Sequence, residues 1–148
     1  KTIKKQSDEK MIMHLKKLSV GTVSFKDLVQ KQKQRKEKGF KNIHLTRNFP
    51  KRWKEIINGG SIYWVIKSKI QARQEILDIK KVKNNEGKTF CGLYLSDKII
   101  RVWPTKVKIF QGWRYLNQND VPSDVEMDID LDDKKNQIYF ELKEIGLL

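Results

Sequence analysis

Three groups of cationic, amide and aromatic side chains carry most of the chemistry this sequence can offer. Between positions 30 and 54 stand ten Lys or Arg against a single Glu, and the run closes on Arg47, Lys51, Arg52 and Trp53. A second group, Lys67, Lys69, Gln71, Arg73 and Gln74, follows the most apolar stretch of the chain. A third gathers Arg101, Trp103, Lys106, Lys108, Gln111, Trp113, Arg114 and Tyr115. Lys and Arg neutralise phosphates, while Gln and Arg also reach base edges and the ribose hydroxyl. Aromatic rings beside them stack on exposed bases. The expected ligand is therefore a polyanion, with RNA first: transfer RNA, ribosomal RNA or the ribosome itself. Arg47, Lys51, Arg52, Lys67, Arg73 and Arg114 are expected on phosphate, and Gln71, Gln74, Gln111 and Trp113 around a base or nucleotide. Trp53, Trp64 and Trp103 are expected in the core; Trp113, beside Gly112 and Arg114, is the one expected partly exposed.

Other chemistries find little support. One cysteine, with His14 and His44 on different expected strands, gives no zinc spacing. The acidic run DVEMDIDLDD (124–133) lacks the glycine and terminal glutamate of a calcium loop. Cys91 lies between Phe90 and Gly92 in an expected strand, where a buried, inert thiol is the usual outcome. No G-x-S-x-G, Walker or dinucleotide motif occurs. No catalytic residue, metal or cofactor is assigned. Two rival readings stay open. An enzyme acting on a nucleotide or small anion would use His44 with Arg47 or Glu55, and a deep pocket holding His14 or His44 beside Arg47 would mark it. An interaction adaptor would use the acidic tail.

The charge distribution sharpens the first reading. Residues 1–116 hold 29 Lys and Arg against 9 Asp and Glu, a net of +20, whereas residues 117–148 hold 3 against 9, a net of −6. A basic body with a short acidic end concentrates polyanions and speeds their association. No stretch of eighteen apolar residues exists, so no helical membrane span is expected. The polar opening has no hydrophobic region of a secretory signal. A single cysteine suits a reducing compartment, so the expected setting is cytoplasmic, or the mitochondrial matrix if eukaryotic.

These side chains need elements to position them, and 148 residues suffice for one domain. Residues 1–10 read as a disordered leader and 11–148 as a single α+β domain, with an acidic loop near 117–133 and a helix at the end. Strand 14–20 comes first. Ser24 with Asp27 three residues on resembles a capping box, so a helix starts there and stops near Lys38 at Gly39. Its second half, KQKQRKEK, is wholly polar and must meet solvent or a charged partner. A strand at 43–47 and a short helix at 51–58, closed by Gly59 and Gly60, lead to SIYWVIKS, 61–68. That continuous apolar run predicts a central strand covered on both faces. Residues 70–82 continue as strand, with Ile76, Leu77 and Ile79 as core positions, and Asn84–Gly87 form a hairpin turn. Strands at 89–95 and 99–103, the second ended by Pro104, precede 110–116. A helix over 134–145 is expected to turn Ile138, Leu142 and Ile145 inward. The expected fold is a mixed, mostly antiparallel sheet curling into a partial, PUA-like barrel with two or three helices.

Several segments resemble a known family. HLKKLSVG (14–21), Thr46-Arg47, Pro50-Lys51-Arg52, GSIYWVIK (60–67), IQARQ (70–74) and FQGWRYL (110–116) occur in the order found in the alphaproteobacterial family called domain of unknown function 1489. The likeness spans about residues 11–148 and departs at Ser68, where the family usually has Gly. It implies an alphaproteobacterial lineage, or a mitochondrial one by descent, and a cytoplasmic setting. It implies no activity. RWKEIINGGSIYWVIK (52–67) is also similar to the entry of PUA-like and ASCH-type domains, small pseudo-barrels that bind RNA or modified nucleotides.

Overall fold

The computed structural model describes residues 11–126 together with positions 138, 141, 142, 145 and 146. It is an α+β fold: β1 (Met13–Leu18), α1 (Phe25–Glu37), β2 (Ile43–Thr46), α2 (Trp53–Ile56), β3 (Ser61–Ile66), β4 (Lys69–Lys83), β5 (Thr89–Lys106) and β6 (Trp113–Asn117). The six strands form one mixed sheet in the order β2-β5-β4-β3-β1-β6. β1 and β3 run parallel, joined through α1, β2 and α2, and every other pairing is antiparallel.

β3 lies inside the sheet and is buried at every position, as its unbroken apolar run requires. One face packs Leu15, Ile62, Trp64, Ile66, Ile76, Leu93 and Leu95 against Leu28 of α1 and Ile56 of α2. The other packs Tyr63, Val65, Ile70, Val102 and Leu116 beneath Val107, Phe110 and Val121. The sheet curls over its first face. In a flat sheet β2 and β3, three places apart in the order, would lie about 14 Å from each other. Yet the His44 ring on β2 meets the Trp64 ring on β3 edge to face at 5.0 Å between centroids. The curl stops short of closure, because the edge strands β2 and β6 do not pair.

Bulges bend the two long strands. The β4–β5 register slips between Ile70 and Ala72, Gln74 and Ile76, and Ile76 and Asp78. Each slip sets extra residues against the partner and kinks the pair. They also correct two expectations. The break expected at 96–98 is a bulge, in which Ser96, Asp97 and Lys98 face Glu75 alone, so 89–106 is one strand. Pro104 does not end it: Pro104 falls in a second bulge opposite Gln71, where no ladder N–H is needed. Leu77, expected in the core, is 57% exposed, because the third bulge turns it outward.

The local stops follow the sequence closely. The Ser24 hydroxyl accepts the Asp27 amide at 3.0 Å, while the Val23 amide donates to the Asp27 carboxylate at 3.0 Å. At the far end Gly39 takes φ +88°, the Gly39 amide donates to Lys36 and the Phe40 amide to Arg35. That pair of bonds is a Schellman motif, and it needs the left-handed conformation glycine adopts without penalty. Gly60 is required for a different reason. A Cβ there would run into the carbonyl oxygens of both Met13 and Ile56, the second at 2.5 Å, so α2 and β1 can close on each other only over a glycine.

The expected leader, 1–10, lies outside the described residues, as do residues 127–133 of the acidic loop and most of the final helix. Of that helix's apolar positions, Ile138 and Ile145 are exposed and Leu142 half-buried, so the first two are not turned inward as the spacing predicts. Among the described residues no helix is long and apolar enough to cross a membrane.

Candidate nucleic-acid interface

The structure does not bring Gln74 together with Gln71, Gln111 and Trp113 as a base pocket, nor leave Arg73 free for phosphate beside it. Gln71 occupies the bulge at the start of β4, and its amide donates to the Ile66 carbonyl at 2.7 Å, clasping the turn at Lys67 and Ser68. Both turn residues have positive φ, 51° and 66°, as a two-residue hairpin demands. The turn is therefore tight although Ser68 is not glycine. Arg73 and Gln74 then point to opposite faces, as neighbours on a strand do.

Arg73 serves a polar latch on the second face. Its guanidinium donates to both Asp124 oxygens, at 2.7 and 2.8 Å, and to the Ser61 hydroxyl at 3.0 Å. A two-pronged pair of this kind ties the segment after β6 to the middle of the sheet. It holds the Asp124 carboxyl below the usual carboxylate range, through the Arg73 hydrogen bond before all else. Next to it, the Ser61 amide donates to His14 Nδ1 at 3.0 Å, which places the imidazole proton on Nε2, where it bonds Gln118. Burial first, and the nearby Arg73 charge, lower the His14 pKa despite the Gln118 bond. Burial likewise pushes the Tyr63 hydroxyl, edge-on to the His14 ring, up to about 12. His14 is thus a satisfied structural histidine.

Gln74 serves the first face and is fully buried. Its Oε1 accepts Trp64 Nε1 and Gln32 Nε2, each at 2.8 Å, and its Nε2 donates to Gln32 Oε1 at 2.8 Å and the Ser96 carbonyl at 3.0 Å. Asn42 donates to the same Ser96 carbonyl at 3.0 Å. Gln74 thus ties α1 to the sheet and has no amide atom left to offer a ligand. Trp113 is half-buried; its Nε1 donates to the Asn48 carbonyl at 2.8 Å and its ring meets Tyr115. Arg47, Lys51, Arg52, Lys67, Gln111 and Arg114 are exposed, with Arg52 engaged by Glu55 at 2.7 Å and Arg114 by the Gln111 carbonyl at 3.1 Å.

A cleft of about 860 Å³ opens between α1 and the curled sheet. Six cations line it, Lys17, Lys31, Lys33, Arg35, Lys36 and Lys41, against one carboxylate, Asp97. Asp97 is taken up by Lys36 at 2.8 Å, and Lys31 by Asp27 at 3.1 Å. Among the described residues no ion pair engages Lys17, Lys33 or Lys41. Burial lowers the pKa of Lys17. The walls are aliphatic and aromatic, and Phe40, 59% exposed, stands at the mouth beneath the Arg35 guanidinium, 5.8 Å from the ring centroid. The Schellman motif sets both, since Arg35 and Phe40 are the residues its longer bond joins. At the floor, His44 Nε2 is shielded from solvent and has no hydrogen-bond partner among the described residues. Burial, then the charges of Lys17 and Arg35, push its pKa down to about 4, so the ring is neutral at physiological pH. Arg47 is not among the walls.

The family model for a protein of unknown function, domain of unknown function 1489, matches residues 15–148. The chain belongs to that family. No curated protein and no solved structure matches it. The family segments HLKKLSVG and GSIYWVIK supply Lys17 and Trp64 of the cleft, and IQARQ supplies Gln74, the residue beneath it.

Sequence reasoning missed Lys17, His44 and Phe40 as members of one site. One signal pointed there: a helix whose second half is wholly polar must present that half to something charged. In the structure it presents Gln32 to Gln74 and Lys36 to Asp97, and it turns Lys33 and Arg35 to the cleft. Cys91 is buried and its thiol pushed up to about 11 by that burial, which makes it a poor nucleophile. Among the described residues no group of three His, Cys, Asp or Glu could hold a metal.

Proposed function

We propose that this chain is a nucleic-acid-binding module, RNA being the favoured polyanion, and that it holds its ligand in the cleft between α1 and the sheet. The observation that carries this reading is the wall of six cations opposed by one carboxylate that is already paired. Like charges set against an apolar wall focus a positive field into the opening and draw in a polyanion. RNA fits better than a small anion, because a cleft of about 860 Å³ lined by six cations offers several phosphate contacts beside surfaces for bases. The curled sheet also supports a partial, PUA-like barrel as the architecture, and a cytoplasmic setting would place it among transfer and ribosomal RNA. Lys51, Lys67 and Arg114 stand away from the cleft walls and would add peripheral phosphate contacts.

The test is fluorescence anisotropy on folded transfer RNA and single-stranded RNA across a salt series. If about four phosphates are neutralised, log affinity falls with log salt at a slope of about −3 for a single strand. The double variant Lys17→Glu/Arg35→Glu should abolish most of that binding. Affinity indifferent to salt, or unchanged in the double variant, rejects the reading.

A further inference from the structure

The cleft is well supplied with charge and with apolar surface, but apart from its cations and the Tyr94 hydroxyl few of the polar groups lining it are free to read a base. Gln32 and Gln74 saturate each other, and Trp64 and Ser96 complete their bonds. Ser19 and Thr22 pair hydroxyl to hydroxyl at 2.6 Å. Lys31 is held by Asp27 and the Gly21 carbonyl. The imidazole of His44 is closed off from solvent at Nε2. What the cleft does present is Leu18, Val29, Phe40 and Leu77, which are 43%, 39%, 59% and 57% exposed. Beside them stand Lys17, Lys33 and Lys41, which no carboxylate pairs among the described residues.

We infer that the cleft takes single-stranded RNA, laying unstacked bases on these apolar and aromatic walls and phosphates on Lys17, Lys33, Arg35 and Lys41, with little regard to sequence. The inference deepens the proposal that the cleft is the RNA site and rests on it. A duplex turns its bases inward and shows a protein mainly phosphate and ribose, so it would leave these side chains uncovered. An unstacked base has two flat apolar faces whatever its identity, which is why stacking tolerates sequence. Discrimination would need donors and acceptors fixed against the base edge; Gln32, Gln74 and Asn42 are bonded to one another and to the Ser96 carbonyl, and Arg35, the cation best able to read an edge, is laid on the Phe40 ring and given to phosphate.

The experiment compares oligo(U), oligo(A), oligo(C), an abasic ribose-phosphate strand and an RNA duplex, all of about 12 nucleotides, a length within reach of one binding groove. The full chain is used throughout. The three homopolymers should bind within about fivefold of one another, and the duplex and abasic strand at least about tenfold more weakly, as loss of one stacked base predicts. Phe40→Ala, at an exposed position that the fold does not depend on, should narrow the gap between base-bearing and abasic strands, with thermal melting confirming an intact fold. Equal binding of duplex or abasic strand, or preference for one homopolymer by more than about tenfold, overturns the inference while the cleft remains the RNA site. Should Lys17→Glu/Arg35→Glu leave all five affinities unchanged, the underlying reading fails as well.

Discussion

Replacing Gln74 by Leu separates a residue that reads ligand from one that holds the fold together. Gln74 is wholly buried and makes four hydrogen bonds, to Trp64, Ser96 and twice to Gln32. Leucine keeps the bulk and loses all four, yet the partners do not suffer equally. Gln32 is half-buried and can turn to water, and the Ser96 carbonyl keeps its bond from Asn42. Trp64 is only 3% exposed and its indole N–H has no second acceptor among the described residues, so it bears the loss. An orphaned buried donor costs about 1–3 kcal/mol, so Gln74→Leu should lose about 2 kcal/mol. That corresponds to a fall in melting temperature of about 6 °C for a chain of this size.

Urea unfolding is the assay, with the slope expected to match the wild type so that the midpoint alone carries the change. A cycle with Trp64→Phe isolates the bond. Removing the indole N–H in the Gln74→Leu background should cost less than removing it from the wild type, with a coupling of about 1–2 kcal/mol. The RNA affinity of the variant should fall by no more than its loss of stability accounts for, since Gln74 holds α1 in place but offers no amide atom to a ligand. Stability within about 0.5 kcal/mol of wild type would refute the bonding scheme. A tenfold loss of affinity at unchanged stability would mean that Gln74 reaches the ligand after all.

Three further outcomes test separate parts of the structure. Because Arg73 depresses the Asp124 pKa, the pair stabilises the native state above the unfolded carboxyl pKa of about 3.9, and that contribution is lost as pH falls through the folded value. Acid unfolding of Asp124→Asn should therefore be flatter below about pH 4 than that of wild type, and parallel curves would dismiss the latch. Gly60→Ala should cost at least about 4 kcal/mol or prevent folding, since its Cβ would press on two backbone oxygens; a near-native melting curve would contradict the α2–β1 approach. The buried Cys91 thiol, raised to about 11, should resist alkylation in native buffer at about pH 8 and react once urea opens the fold. Rapid labelling without denaturant would show that β5 is not packed as described.

Features set by a few neighbouring residues were legible in the sequence. Ser24 and Asp27 mark the start of α1, Gly39 its end, and SIYWVI a strand buried on both faces, because each signal needs only local geometry. The family was legible too, from IQARQ and FQGWRYL. The bulges were not. Whether Ser96-Asp97-Lys98 is a loop or an irregularity in a continuous strand depends on how many residues the partner strand sets opposite, and that count is a property of the pair. The same slips decide the faces of Leu77 and Gln71. Placing Gln74 around a base with Gln71, Gln111 and Trp113, and Arg73 on phosphate beside them, failed for a simpler reason. Arg73 and Gln74 are adjacent in sequence and so stand on opposite faces of β4, one bonded to Asp124 and the other to Gln32. The cleft draws its walls from several strands of the sheet and from α1, so no contiguous stretch could display it.

The electrostatics of the cleft tie its proposed ligand to the docking of α1. α1 fully buries only one side chain, Leu28, over thirteen residues. Its hold on the sheet therefore depends heavily on polar ties. The Lys36–Asp97 pair is exposed on both sides, 67% and 63%, and contributes little for that reason. The shielded tie is the amide pair of Gln32 and Gln74, which sets how far α1 stands from the sheet and hence the width of the cleft. Against it works the repulsion among the cations that line the cleft, Lys33 and Arg35 on α1, Lys41 just beyond it and Lys17 on β1. A neutral amide pair holds the helix in place without adding charge of either sign, which keeps the field of the cleft intact. A carboxylate there would tie the helix more strongly but would cancel the field that attracts a polyanion. Under the proposed function, phosphate bound there would remove the repulsion, so ligand binding and the docking of α1 would reinforce each other and a polyanion filling the cleft should raise the melting temperature of the fold.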